Sequence, residues 1–180
     1  SDVVCLLGGI ESITRCSVSS VTCISLSATS KWQSWKVAEL PKPLACASAL
    51  VIEGGNILLT GGFLDEEASS STYFLDSSTL RWSSGPDMNI GRHGFGMCKV
   101  GQRVFVFGGH KKRSRKLHEG WKIMPQRLQI GRYHPAAESY KTFIYAISGM
   151  AEKRLEDSVE RLDVSDMRLG WQFVAKILTP

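Results

Sequence analysis

Four short hydrophobic runs, each closed by a glycine turn, recur along the chain and restrict it to a repeat architecture. These runs occupy residues 3–9, 56–62, 104–109 and 144–149. Taking Gly8, Gly61, Gly108 and Ser148 as equivalent positions gives steps of 53, 47 and 40 residues. A period in this range suits one four-stranded antiparallel unit per repeat. Such a repeat predicts a binding scaffold more readily than an active site.

The clearest unit runs from residue 56 to residue 109. Its strands are predicted over the ranges 57–60, 72–76, 80–82 and 94–100. Glycine, serine and proline turns separate these strands. Several short strands at regular turns are compatible with a sandwich, a barrel or a β-propeller. The long repeat and the recurring pairing of a glycine turn with a tryptophan favour the propeller.

The same unit carries a recognisable order of residues. Four apolar residues precede Gly-Gly, a Tyr-x-x-Asp strand covers 73–76, Trp82 follows six residues after the Asp, and Arg92-His93 precedes the next strand. This order resembles the kelch repeat. The resemblance implies an all-β, kelch-type β-propeller with about four blades present, as part of a larger propeller of six or so blades.

The other units match the pattern to different degrees. The fourth contains 144–149, 159–163 and Trp171 at the corresponding places. In the first, 21–26 stands for the Tyr-x-x-Asp strand, and either Trp32 or Trp35 fills the tryptophan position. The third departs furthest, because only 12 residues separate Gly109 from Trp121, against 20 between Gly62 and Trp82. We expect this third blade to lack or shorten one strand.

The repeat spans the whole chain as one propeller region. The approximate blade units are 1–45, 46–92, 93–133 and 134–180. The first unit begins at a glycine-terminated strand and the last stops where the next inner strand would start. We therefore expect the region to be incomplete at both ends.

Blade geometry predicts where the loops meet. If strands A to D run up and down in turn, the B–C loops and the D–A loops lie on the same face. The B–C loops are predicted at about 10–19, 63–71, 110–118 and 150–157, and the D–A loops at about 38–45, 85–93 and 124–134. Arginine and lysine on this face would attract carboxylates or phosphates, and the resemblance implies peptide recognition there. The candidate partner-binding residues are Arg92, His93, Lys111, Lys112, Arg113, Arg115, Lys116, Arg132 and Tyr133.

Structural alternatives stand beside this interpretation. Arg92 and Arg132 occupy a common arginine position of the repeat, where each could instead satisfy backbone carbonyls between blades. His93 and His134 could be hydrogen-bonding residues at strand starts. The basic segment 111–116 could be a solvated loop, a contact for an acidic partner, or a nuclear-localisation or nucleic-acid patch. The tryptophans at 35, 82, 121 and 171 are predicted to pack between blades, and Phe63 is either an exposed anchor or partly buried.

Composition narrows the setting. The chain is 43% hydrophobic with a net charge of +5, and it has no apolar run long enough for a transmembrane helix. No signal peptide is visible. Five cysteines without a Cys-x-x-Cys pair favour reduced thiols and a cytoplasmic location, with a disulfide between Cys16 and Cys23 as the alternative.

The sequence favours a protein without enzymatic activity or cofactor. It contains no Gly-x-Ser-x-Gly, no P-loop and no His-Glu-x-x-His. The predicted function is protein–protein interaction with an acidic or phosphorylated partner segment; nucleic acid and small-molecule substrates are disfavoured. The resemblance implies a substrate-receptor role in a ubiquitin ligase, because many kelch proteins carry a BTB domain. The alternatives are a scaffold subunit of a cytoskeletal or organellar assembly, or a galactose-oxidase-like enzyme.

Overall fold

The computed structural model describes residues 3–25, 33–64, 67–113, 120–152 and 154–177. Within these residues the regular structure consists of β-strands and two short 3-10 turns, Glu53–Gly55 and Met167–Leu169. The all-β prediction is therefore confirmed. No helix in the described ranges is long and apolar enough to span a membrane.

The strands are short and follow one another in chain order. The first group comprises β1 (Val3–Ile10), β2 (Ser17–Ser25) and β3 (Ser34–Lys36). The second comprises β4 (Ser48–Val51), β5 (Ile57–Thr60), β6 (Phe63–Leu64), β7 (Glu67–Ala68), β8 (Thr72–Leu75) and β9 (Trp82–Ser84). The third comprises β10 (Ile90–His93), β11 (Gly96–Val100), β12 (Arg103–Phe107) and β13 (His110–Arg113). The last comprises β14 (Ala136–Tyr140), β15 (Phe143–Ile147), β16 (Met150–Ala151), β17 (Arg154–Leu155), β18 (Ser158–Asp163) and β19 (Gln172–Lys176).

Four main sheets, called blades 1 to 4 here, follow in sequence order. Blade 1 has the order β1-β2-β3, blade 2 the order β4-β5-β8-β9, and blade 4 the order β14-β15-β18-β19. All neighbouring strands in them are antiparallel. In the described residues blade 3 contains the pair β11-β12. Up-and-down sheets repeated in this way form a kelch-type β-propeller.

The glycine turns tie neighbouring blades together. Gly61, Gly108 and Ser148 adopt the same left-handed conformation, with φ of 67°, 69° and 56°. A Cβ at Gly61 would lie 2.5 Å from the carbonyl oxygen of Arg92, and one at Gly108 would lie 2.6 Å from that of Arg132. The loop leading into the next blade therefore approaches too closely for a side chain.

After the turns at Gly8, Gly61 and Gly108, the next residue hydrogen-bonds to the loop that enters the following blade. The amides of Gly62 and Gly109 donate to the carbonyl oxygens of Arg92 and Arg132, each at 2.8 Å. The amide of Gly9 donates in the same way to Leu44, at 2.9 Å. As a result, the segment after each glycine turn lies beside the loop that enters the following blade.

The core is divided into layers between blades. One layer, between blades 1 and 2, is built on Val21, Leu40, Leu44, Leu59 and Tyr73. The next, between blades 2 and 3, is built on Leu58, Met88, Phe95 and Met97. The last, between blades 3 and 4, is built on Cys98, Phe107, Ile144, Ala146, Leu162, Val164 and Trp171. Burial between sheets is how stacked repeats are stabilised.

The tryptophans contribute unequally to these layers. Trp171 is 5% exposed and meets Phe107 edge-on, with ring centroids 4.9 Å apart. The indole N–H groups of Trp82 and Trp121 donate to the carbonyls of Ala38 and Pro86, in the loops that precede blades 2 and 3. Trp35, in contrast, is 42% exposed, so the prediction that it packs between blades was wrong. Trp32 lies outside the described residues.

The cysteine pairing differs from the alternative drawn from the sequence. Cys23 faces Cys5 in the β1-β2 register, with the two sulfur atoms 2.7 Å apart. Cys16 is exposed, and its thiol donates to the carbonyl oxygen of Thr14. The neighbour of Cys23 is therefore Cys5 and not Cys16.

Candidate partner-binding rim

Two loops of the propeller meet as a short antiparallel pair. β10 belongs to the loop between blades 2 and 3, and β13 follows the glycine turn of blade 3. Their register sets Arg92 opposite Lys111 and His93 opposite His110. The pairing thus brings together the candidate residues Arg92 and Lys111, which are 19 positions apart in the sequence. The name rim is used below for β10 and β13 together with their neighbours Phe63, Tyr133 and His134.

Aromatic rings form a continuous row along the rim. His93 lies 5.2 Å from Phe63, in an edge-on arrangement, and stacks on His110 at 5.1 Å. His110 meets Tyr133 at 4.5 Å, and Tyr133 meets His134 at 5.8 Å. The row extends from blade 2 to the entrance of blade 4.

The sequence analysis did not anticipate this row, although a repeated signal was present. The residue after each Gly-Gly or Ser-Gly turn bridges to the residue that precedes the left-handed start of the same blade. The observed pairs are Ala45 with Phe63, His93 with His110, and Tyr133 with Met150. Reading these two positions along the repeat would have placed His93 beside His110.

The environment of His93 disfavours its protonated form. Burial lowers the pKa of the His93 imidazole, and the neighbouring His110 and His134 lower it further when they carry charge. A half-buried ring stacked on a second imidazole gains no nearby anion to offset this. The rim therefore presents a neutral His93 at pH 7.

Lowering the pH is expected to destabilise the protein through this histidine. Since the pKa of His93 is lower in the folded state, the unfolded chain takes up the proton first. The stability that neutral His93 contributes is fully present above its unfolded-state pKa of about 6.5. It is lost as the pH falls from there towards the lower pKa of the folded state. Thermal unfolding between pH 7.5 and 5.5 measures it. His93→Phe keeps a stacking ring but cannot titrate, so its unfolding temperature should fall less over this interval; equal pH dependence would contradict the assignment.

The remaining candidate residues occupy different environments. Lys111 is exposed on β13, and Tyr133 is half-buried, with its hydroxyl donating to the carbonyl oxygen of Glu152 at 3.0 Å. The backbone of Lys112 and Arg113 belongs to β13. Arg115 and Lys116 lie outside the described residues.

Arg92 is half-buried and incompletely paired. Its Nη1 donates to the carbonyl oxygen of Gly108 at 2.9 Å, whereas its buried Nε has no hydrogen-bond partner in the described structure. Burial lowers the pKa of this guanidinium from its usual value. Among the described residues, no carboxylate forms an ion pair with this guanidinium.

Arg132 is placed differently and does not belong to the rim. The residue is 3% exposed, and its Nη1 donates to the carbonyl oxygens of Ser158 and Ser148 at 2.8 and 3.2 Å. Its Nη2 donates to the Ser158 hydroxyl and to Glu160, with which it forms a fully buried ion pair. This is the structural alternative that the sequence left open, and it leaves no donor facing a partner.

A metal centre is not evident in the part of the chain that the structure describes. Within it, no three histidine, cysteine, aspartate or glutamate side chains converge closely enough to hold an ion. The absence of enzymatic activity stays a prediction.

Comparisons with known proteins agree with the architecture. Residues 43–89 match the kelch motif. A protein of Arabidopsis thaliana named as an F-box/kelch-repeat protein is 29% identical over 82 residues, covering 46% of this chain and 21% of the relative. The chain thus spans about a fifth of that relative's length.

The solved structure of YjhT superposes on nearly the whole chain. The TM-score is 0.72 at 15% sequence identity, and the match covers 99% of this chain and 64% of YjhT, less than two thirds of its length. At this identity the likeness concerns the fold, which is a kelch-type propeller. The kelch motif at 43–89 and the Arabidopsis relative agree with this fold and with the resemblance drawn from the sequence.

Proposed function

We propose that this propeller binds an acidic or phosphorylated segment of a partner protein through the rim. Kelch propellers serve in general as protein-interaction modules. The observation that carries the finer proposal is the β10-β13 pair, which sets Arg92 opposite Lys111 within a chain of net charge +5.

The chemistry of the rim suits such a segment. Lysine ammonium groups attract carboxylates and phosphates as point charges, while arginine offers paired donors. The neighbouring row of rings supplies flat apolar area that loses little side-chain entropy on binding. Exposed charges on a rim mainly raise the association rate and select the sign of the partner.

Charge reversal on β13 tests the proposal. The double substitution K111E/K112E should weaken binding to an array of peptides that contain glutamate or phosphoserine, by about 10-fold or more at low salt, because the attraction becomes repulsion. The effect should shrink as salt is added. Fluorescence anisotropy on labelled peptides from the array measures both.

A matched variant controls for total charge. Arg81 and Lys141 are exposed in turns at the opposite ends of the strands, so R81E/K141E changes the net charge equally but leaves the rim intact. We expect this control to bind as the unmodified protein does. If K111E/K112E and R81E/K141E lose equal affinity for the peptides, the rim is not the binding surface.

The adaptor role is a further part of the proposal. The F-box in the name of the Arabidopsis relative favours a receptor that presents a captured protein to a ubiquitin ligase. Affinity capture of the native-length protein followed by mass spectrometry should recover a cullin and its partners. Recovery of a stable assembly without ligase components would instead support a structural scaffold.

A further inference from the structure

The described residues of blade 3 leave a groove at the place where blades 2 and 4 have their third strand. In blade 2, β5 pairs with β4 and β8, and in blade 4, β15 pairs with β14 and β18. In the described residues β12 pairs with β11 alone. The groove beside β12 has a volume of about 1620 Å³, which exceeds the roughly 300–1,000 Å³ of small-molecule pockets. Its size suits a segment of polypeptide.

The groove retains apolar surface that is covered in blade 4. Because Gly108 and Ser148 are equivalent, Val104 and Val106 of β12 correspond to Ile144 and Ala146 of β15. Ile144 and Ala146 are 2% and 0% exposed, whereas both valines are only half-buried. An apolar strand edge with free backbone groups is a template for pairing with another chain.

The residue pairs at the corresponding positions of blades 2 and 4 indicate which charge a strand in this groove would carry. The residue at the entrance to a blade contacts the middle of that blade's third strand. In blade 2 the pair is apolar, with Leu44 and Tyr73 in one buried cluster. In blade 4 it is ionic, with Arg132 and Glu160 both buried.

At the entrance to blade 3 the corresponding residue is Arg92. Its Nη1 reaches the carbonyl oxygen of Gly108 in the same way that Arg132 reaches that of Ser148. The counterpart of Glu160 is missing from the described residues.

Two buried polar atoms without a partner belong to residues that line this groove. Among the described residues, the buried side-chain nitrogen and oxygen atoms without a hydrogen-bond partner are Arg92 Nε and Gln126 Oε1. Both residues line the groove. A donor and an acceptor left unpaired on one surface are costly to bury, and an extended peptide with a carboxylate could satisfy both.

We propose that an extended segment of a partner protein adds to β12 as the third strand of blade 3 and sets a carboxylate against Arg92. The strand register of blade 4 indicates which residue types the added segment carries opposite β12. Glu160 lies opposite Ala146 and Leu162 lies opposite Ile144, so the segment places an acidic residue opposite Val106 and an apolar residue, two positions later, opposite Val104. Main-chain hydrogen bonds supply affinity and these two side chains supply specificity, as in other cases of strand addition. The site shares Arg92 with the rim, but its main-chain contacts lie along β12 and not on β10 and β13.

The probe for this proposal is a synthetic ten-residue peptide that copies residues 156–165, including β18. Calorimetric titration against the purified protein should detect binding. Replacing the peptide residue that copies Glu160 with glutamine should weaken it by about 10- to 100-fold, the usual value of a charge-assisted hydrogen bond. Moving that glutamate by one position should weaken it equally, because a one-residue shift turns the carboxylate to the other face of the strand.

A double-mutant cycle locates the carboxylate. Arg92→Met in the protein should weaken binding of the glutamate peptide but leave the affinity for the glutamine peptide nearly unchanged. Hydrogen exchange on the unmodified protein gives a readout that needs no variant: amides of β12 should become protected on peptide addition, while those of β5 do not change.

Three outcomes would overturn the proposal. Absence of binding at millimolar peptide would mean that the groove does not accept an added strand. Equal affinity of the glutamate and glutamine peptides would remove the role of Arg92. Protection confined to β10 and β13 would assign the peptide to the rim.

Discussion

Replacing Arg132 by methionine is expected to lower the free energy of unfolding by about 3–5 kcal/mol, the typical effect of removing one partner of a buried ion pair. Glu160 is fully buried, and it also accepts the amides of Gln129 and Ile130. Without the guanidinium its carboxylate keeps the cost of desolvation but loses the opposite charge. The carbonyl oxygens of Ser148 and Ser158 lose donors as well. Urea denaturation followed by circular dichroism measures the change.

Two further variants separate this effect from a general loss of charge. Arg168 pairs with Asp166 on the surface, where both side chains are largely solvated, so Arg168→Ala should cost no more than about 1 kcal/mol. The double variant R132M/E160M removes both buried charges and should recover part of the stability lost in the single variant, although the amides of Gln129 and Ile130 then lose their acceptor. A single variant as stable as Arg168→Ala would mean that the pair does not support blade 4.

The backbone of the repeat could be predicted from the sequence because its signals are local. Paired glycines, a short apolar run and a turn each act within a few residues, and the strands around 57–60, 72–75 and 96–100 lie close to the expected positions. The meeting of the B–C and D–A loops follows from strand direction alone. These features need no knowledge of which side chain lies across a blade interface.

The burial and pairing of individual side chains could not be predicted, because both depend on residues far away in the chain. Arg92 and Arg132 share a Gly-Arg context, yet one is buried against Glu160 and the other lacks an anion. The difference is decided by a third strand that blade 4 has and the described part of blade 3 does not. In the same way, Trp35 and Trp171 recur at similar points of the repeat, and only the neighbouring blade determines whether the indole is covered.

Truncating Trp171 to alanine is expected to cost about 3–5 kcal/mol, the range for large aromatic residues in a core. Its indole is 5% exposed, meets Phe107 of blade 3 edge-on, and belongs to the same buried cluster as Ile144 and Leu162. The substitution therefore opens a cavity between two blades rather than within one. Thermal and urea unfolding report the loss.

The matched control is Trp35→Ala, which removes an indole that is 42% exposed and should cost clearly less stability. If the inter-blade layer carries the stability of the repeat, Trp171→Ala should also raise hydrogen exchange in β12 and β15 together, because the two strands flank the cavity. Equal costs for the two tryptophans, or exchange raised in blade 4 alone, would mean that the blades are stabilised individually. The expected pattern instead places the stability of this propeller at the contacts between sheets, where the sequence carries the fewest local signals.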